Sequence, residues 1–310
     1  MRFILFGDGR WAALTLDRLV AAGHMAAAVA LRRRQSDESL AIAAAAHAIE
    51  CVRPESANAS AFVDWVRGRR PDVCISIAFD QIIRLPLLTA APHGFINAHP
   101  GKLPWYRGRS TINWAIINGE PEIGVTVHLM DEGVDTGDIL VQRLLPIGWH
   151  DTYGSVLTRV QDIVPEIVLE AVNGLASGSA TRTPQPALGS YFMARGPGDE
   201  TIDWSDTSVR IYNMIRALSA PGPGARTRVG NRGVLLWAAR YDLSWPKYHA
   251  TPGVIVGRDA DGLRVKTGDS TIVITSFAFE EEASDAPARL SVGARFASPL
   301  DELMYRLSRT

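Results

Sequence analysis

Asn97 and His99, one position apart, and the acidic turn Asp131-Glu132-Gly133-Val134-Asp135-Thr136-Gly137-Asp138 further along are the residues best suited to chemistry in this chain. In a β-strand alternate side chains share a face, so Asn97 and His99 point one way and Ala98 the other. An amide N–H can donate to an oxygen that gathers charge. An imidazole can exchange a proton near neutral pH, and a neighbouring carboxylate raises its pKa and orients its ring. Such a set suits acyl transfer to a nucleophile carried by the substrate. No serine or cysteine stands in a nucleophile elbow, so a covalent acyl-enzyme is not expected. The turn also offers Asp131, Asp135 and Asp138 as oxygen ligands, but the calcium-loop order D-x-[DN]-x-[DN]-G with a terminal Glu is absent. No metal is expected. His128, on the strand before the acidic turn, is expected to pack or to hydrogen-bond within the sheet.

The elements that must position these groups follow from periodicity. Arg2 to Phe6 reads as a strand running into Gly7-Asp8-Gly9, and Trp11 to Ala22 as a helix stopped by Gly23. Ala26 to Leu31 is a second strand, Glu38 to Ala48 and Ala61 to Gly68 are helices, and the apolar run Asp72 to Ala78 suits a strand covered on both faces. Strands alternating with helices in this way predict a parallel α/β sheet. Ser110 to Asn118 is a helix, Gly124 to Met130 a strand, and Thr152 to Ala176 a long helix interrupted or bent near Pro165. Ser177 to Gly198 is rich in Gly, Ser, Thr and Pro and reads as a linker or an extended crossing segment. After a helix over Ser208 to Leu218, short runs at Val234 to Trp237, Gly253 to Val256, Leu263 to Thr267 and Thr271 to Phe277 predict a small β-barrel or sandwich. The expected division is 1–200 and 201–310.

The 310 residues are 46% hydrophobic and 21% charged, as in ordinary globular chains, with room for two domains. A net charge of −1 gives no global attraction to nucleic acid or to an anionic membrane. Cys51 and Cys74 fit no CxxC or zinc spacing, and both are expected as buried thiols in a reducing compartment. The opening MRFILFGDGR is too short an apolar run for a signal peptide, which predicts a cytoplasmic protein. Gly7-Asp8-Gly9-Arg10-Trp11-Ala12 formally matches G-x-G-x-x-A, and Arg32-Arg33-Arg34 could face a 2′-phosphate, which leaves an NADP-dependent oxidoreductase as an alternative. Against it, Asp8 stands where a pyrophosphate would approach.

The ordered pattern Asn97-x-His99, Leu103-Pro104, Arg107-Gly108, Gly124-Val125-Thr126 and Asp131-x-Gly133-x-Asp135-Thr136-Gly137-Asp138 resembles the 10-formyltetrahydrofolate-dependent formyltransferases, the methionyl-tRNA formyltransferase superfamily. The likeness runs from Phe6-Gly7 through the β-rich C-terminal region. It implies a Rossmann-like N-terminal domain, an OB-like second domain, 10-formyltetrahydrofolate as co-substrate, and Asn97, His99 and Asp135 as a catalytic triad with His99 protonated. It also implies a pterin pocket lined by Ile77, Ala78, Phe79, Ile82, Ile83, Asp131, Gly133, Val134 and Asp138. The stretch GKLPWYRGRSTINWAIINGE resembles the nucleotide-sugar N-formyltransferases, because Gly101-Lys102 replaces the Ser-Leu of the loop usual in the tRNA enzymes. The expected acceptor is therefore a dTDP-, UDP- or GDP-linked amino sugar of cell-surface polysaccharide synthesis, with methionyl-tRNA as the alternative. Gly7, Asp8, Lys102, Tyr106, Arg107 and Arg109 are the expected substrate contacts, with Tyr106 as a ring platform. A homodimer through the C-terminal region completes the expectation, with no membrane partner.

Overall fold

The computed structural model describes residues 1–34, 37–280 and 290–307. The chain forms two compact units, the first from residues 1–111, 122–146 and 157–193, the second from 112–121, 147–156 and 194 onward. The sequence suggests a single cut near 200; two short segments ahead of it pack with the later residues.

The first unit opens β1 (Arg2–Gly7), α1 (Gly9–Ala21), β2 (Met25–Leu31), α2 (Ser39–Ala46), β3 (Cys51–Val52), α3 (Ser60–Gly68), β4 (Val73–Ile77), α4 (Leu85–Leu88) and β5 (Phe95–His99). The chain continues with β6 (Arg107–Gly108), α5 (Thr111–Ile117), β7 (Glu122–Leu129), β8 (Ile139–Pro146), α6 (Tyr153–Ser177) and β9 (Tyr191–Phe192). One sheet orders the strands β3-β2-β1-β4-β5-β7-β8. β1 lies inside it, between β2 and β4, with Phe3, Ile4, Leu5 and Phe6 fully buried, and α1 turns Ala12, Leu16 and Leu19 inward at helical spacing. The pairs from β3 to β5 are parallel, but β5–β7 and β7–β8 are antiparallel, so the sheet is mixed and not all-parallel. The reason is connection length: a short link can join antiparallel neighbours such as β7 and β8, whereas a parallel pair needs a crossover. α6 continues through Pro165 as one helix. Val156, Val160, Val164, Ile167, Val168, Ala171, Val172 and Leu175 bury its apolar face, and that burial outweighs the backbone hydrogen bond the proline removes.

The second unit carries α7 (Ser208–Leu218), then β10 (Ala225–Val229), β11 (Arg232–Arg240), β12 (Ile255–Asp259), β13 (Gly262–Lys266) and β14 (Thr271–Phe279), and α8 (Pro299–Leu307). Its five strands form an antiparallel sheet ordered β10-β11-β14-β13-β12. α7 is capped by Thr207, whose hydroxyl accepts from the Arg210 N–H at 3.3 Å, and packs Ile211, Ile215 and Leu218 into a core with Val234, Leu236 and Ile274. The protein is thus an α/β formation with a β-rich C-terminal domain. Among the described residues no helix is long and apolar enough to cross a membrane. Of the two thiols, Cys74 is buried, but Cys51 is exposed because β3 is a two-residue strand at the sheet edge.

Candidate active site

β5 lies between β4 and β7, with Asn97 level with Ser76 on one side and His128 on the other, and His99 level with Thr126. The alternation that puts Asn97 and His99 on one face also brings His128 to them across the strand pair. The chain after β7 folds back over this face and delivers Asp135. His99 Nδ1 stands 3.6 Å from Asp135 Oδ2, and His128 Nε2 stands 3.4 Å from Asp135 Oδ1. Asn97 Nδ2 faces His128 Nε2 at 3.3 Å and Asp135 Oδ1 at 3.5 Å. The Gly108 N–H donates to Asp135 Oδ2 at 2.8 Å.

The ring nitrogens facing carbonyls fix the tautomers. His99 Nε2 lies 2.7 Å from the Tyr106 carbonyl and His128 Nδ1 lies 2.7 Å from the Leu129 carbonyl. A carbonyl only accepts, so each of these nitrogens carries the hydrogen. His99 Nδ1 is left toward Asp135, and His128 Nε2 is left facing both the Asp135 carboxylate and the Asn97 amide. Burial lowers the pKa of His99 and exceeds the raising influence of Asp135 and the Tyr106 carbonyl, with His128 lowering it further. The resting imidazole is therefore held toward the neutral form. Burial pushes the Asp135 carboxyl upward, but His99, His128 and the Gly108 N–H together hold it well below the usual carboxylate range. Asp135 is ionised at neutral pH.

The other anticipated contacts are placed as follows. Lys102 pairs with Glu122 at 2.6 Å. The Tyr106 ring stacks on Phe192 at 4.7 Å between centres. Arg107 is 1% exposed and gives its guanidinium to Gln185, the Pro186 carbonyl and the Tyr191 hydroxyl. Arg109 is exposed, and its backbone N–H donates to the Phe192 carbonyl. Gly7 runs so close to β4 that a Cβ there would stand 2.7 Å from the Ile77 carbonyl oxygen. Asp8 is buried at the start of α1, with Arg32 3.5 Å away. Arg32 also reaches Asp80 at 3.5 Å, and the N–H groups of Arg33 and Arg34 donate to the same Asp80 carboxylate. The arginine run thus answers carboxylates of its own chain, which opposes the dinucleotide alternative.

Beyond β4, Ala78 adopts a left-handed backbone (φ 56°), Phe79 packs edge-on against Phe6, Ile83 is buried, and Ile82 is 72% exposed. Asp131 Oδ1 accepts from the Gly133 N–H and the Thr136 hydroxyl, and the Asp138 carbonyl accepts from the Leu129 N–H, so these residues build the turn. Val134 is left 53% exposed at its tip. The fold therefore brings Asn97, His99 and Asp135 together and adds His128. The one sequence signal for His128 is its two-residue spacing from Thr126 on the same strand face. Gln185, also absent from the expectation, lies in the segment read as a linker and donates to the carbonyls of Asp135 and Gly137.

Comparison with known proteins agrees with this architecture. Residues 1–172 match the formyl transferase family model and residues 196–288 match the formyl transferase C-terminal domain. The chain is 32% identical over 301 residues to a methionyl-tRNA formyltransferase of Pelotomaculum thermopropionicum, covering 94% of each protein. It is 34% identical to one of Syntrophus aciditrophicus, over 89% of this chain and 91% of that one. Among solved structures, the sugar 3N-formyl transferase WlaRD, determined with dTDP and 5-N-formyl-THF, superposes with a TM-score of 0.71 at 20% identity, covering 91% of this chain and 98% of that one. At that identity the likeness is one of fold. With both domains matched in order and relatives above 30% identity along nearly the whole length, the chain belongs to the formyl transferase family.

Proposed function

We propose that this protein moves a formyl group from 10-formyltetrahydrofolate to a primary amine, with Asn97, His99 and Asp135 as its catalytic residues. The observation that carries this reading is the convergence of an amide N–H, a near-neutral imidazole and an ionised carboxylate on one strand face. The bound donor supplies an N10-formyl carbonyl as electrophile. Asn97 donates to the formyl oxygen as it gathers charge, an interaction whose loss costs on the order of a hundredfold or more in turnover. His99 takes the proton shed by the attacking amine at Nδ1, and Asp135 stabilises the imidazolium so formed. The proton passes on to the departing N10, which balances the exchange of a formyl for a hydrogen. The exposed apolar Ile82 and Val134, with Ile77, Ala78, Phe79, Ile83, Asp131, Gly133 and Asp138, suit a planar heteroaromatic ring and would hold the donor.

For the acceptor, the relatives named above support methionyl-tRNA, and likeness along nine-tenths of the chain outweighs the Gly101-Lys102 difference in one loop. A specific observation favours a nucleotide-linked amino sugar as second reading. In the C-terminal unit Arg226 pairs with Glu200 and Glu280, Arg240 with Asp259 and Asp261, Arg264 with Asp259, and Arg210 with Asp206, while Lys266 is buried. Cations committed in this way are poorly placed to neutralise tRNA phosphates. The test incubates the protein with 10-formyltetrahydrofolate and either charged initiator tRNA or a panel of amino-sugar nucleotides, following tetrahydrofolate release and product mass. A formyl gain on the tRNA supports the first reading and a gain on a sugar nucleotide the second. Unchanged turnover in both Asn97→Ala and His99→Ala would remove the catalytic assignment.

A further inference from the structure

Asp135 holds a left-handed backbone (φ 54°), a conformation uncommon for non-glycine residues though better tolerated by aspartate than by most. Two side chains outside the acidic turn are linked to it, Gln185 directly and Arg107 through Gln185. Gln185 Nε2 donates to the carbonyls of Asp135 at 3.0 Å and Gly137 at 2.6 Å, holding the turn on both sides of Thr136. Its Oε1 accepts from Arg107 Nε at 3.3 Å and Nη2 at 3.0 Å. An amide can present both hydrogens to the turn only while its oxygen faces the guanidinium, because the reversed amide would set N–H against N–H on one side and oxygen against oxygen on the other. Arg107 is itself fixed by the Pro186 carbonyl and the Tyr191 hydroxyl, both at 3.1 Å. The chain wraps it so closely that a Cβ at Gly189 would stand 3.0 Å from the guanidinium carbon. The next residue along, Gly108, holds the Asp135 carboxylate directly at 2.8 Å.

We propose that the buried Arg107 and the partly exposed Gln185 form a clamp of positioning residues, which sets the Asp135 backbone so that its carboxylate meets His99 and His128 together. The proposal rests on the catalytic roles given above to His99 and Asp135. Arg107 acts through Gln185, so removing both loses no more than removing Gln185 alone. The groups around His99 are the Asp135 carboxylate at Nδ1, the Tyr106 carbonyl at Nε2 and the His128 ring. Releasing Asp135 withdraws a raising influence and leaves the lowering ones, so the His99 titration midpoint falls.

The experiment compares wild type with Gln185→Ala, Gln185→Glu, Arg107→Lys and the Arg107→Lys/Gln185→Ala double variant. Gln185→Glu keeps the oxygen toward Arg107 and so preserves the fold while losing the donors to the turn. Steady-state kinetics with the formyl donor are read beside NMR titration of His99. Both Gln185 variants are expected to lose about tenfold or more in kcat, since small displacements of a catalytic group are costly. Their KM for the donor should stay within about twofold, and the His99 midpoint should fall in Gln185→Ala, which adds no charge. The double variant should match Gln185→Ala. An unmoved His99 midpoint in Gln185→Ala, or single losses that multiply in the double variant, overturns the clamp even if wild type is active. A wild type that formylates neither acceptor, with the His99 midpoint still moving in the variants, keeps the clamp and removes the proposed function.

Discussion

Gly101→Ala perturbs the His99 ring directly. A Cβ built on Gly101 would stand 2.4 Å from His99 Nε2, 2.7 Å from His99 Cδ2 and 2.4 Å from the Tyr106 carbonyl oxygen. These are the two ends of the 2.7 Å hydrogen bond that fixes the His99 ring. Ordinary van der Waals contact needs about 1 Å more than the shorter distances, so ring and carbonyl must part by about that much. Overpacking of this kind costs about 1–3 kcal/mol of stability, and displacement of a catalytic group by about 1 Å costs about a hundredfold in rate. The expected result is a kcat lower by about a hundredfold, about 2.7 kcal/mol in activation free energy, with a small fall in Tm. The assay is formyl transfer to whichever acceptor proves active, with Tm measured on the same preparation. A variant with kcat within about twofold of wild type would refute the placement of His99 over Gly101 as a condition of catalysis.

Four further outcomes are expected. His128→Phe removes the ring nitrogen that faces both the Asn97 amide and the Asp135 carboxylate, and should lower kcat by about tenfold in the same assay, because a group left misaligned donates poorly. Burial lowers the His99 pKa, so below about pH 6.5 the unfolded chain binds a proton that the folded one resists. Stability present above that pH should decline as pH falls toward the folded-state value, and urea midpoints of His99→Gln should show a shallower decline. A thiol reagent should modify Cys51 in the native protein and reach Cys74 only after unfolding; partial burial and Glu50 raise the Cys51 pKa, so the native reaction should quicken at alkaline pH. The folate donor at about a hundred times its Kd should add about 2.7 kcal/mol of stability, seen as a higher Tm, while NADP should add none.

The sequence by itself determined what local rules can carry. Strand periodicity places Asn97 and His99 on one face, the helix spacing of Ala12, Leu16 and Leu19 marks the buried side of α1, and the short alternating runs after Ala225 mark the β-rich domain. The order and spacing from Asn97 to Asp138 named the family before any geometry was known. Only the tertiary structure decided the remainder, and each case turns on contacts between residues far apart in the chain. The antiparallel entry of β7 sets His128 level with Asn97, which periodicity within β7 alone could not reveal. Cys51, in an apolar stretch of sequence, is exposed because its strand ends the sheet. Arg107, whose charge suggested a substrate contact, is buried and bonded within the chain, and Gln185, in a stretch with the composition of a linker, meets it 78 residues away. Turn and strand propensities act over a few residues, whereas a buried cation or a strained aspartate persists only when distant segments close around it.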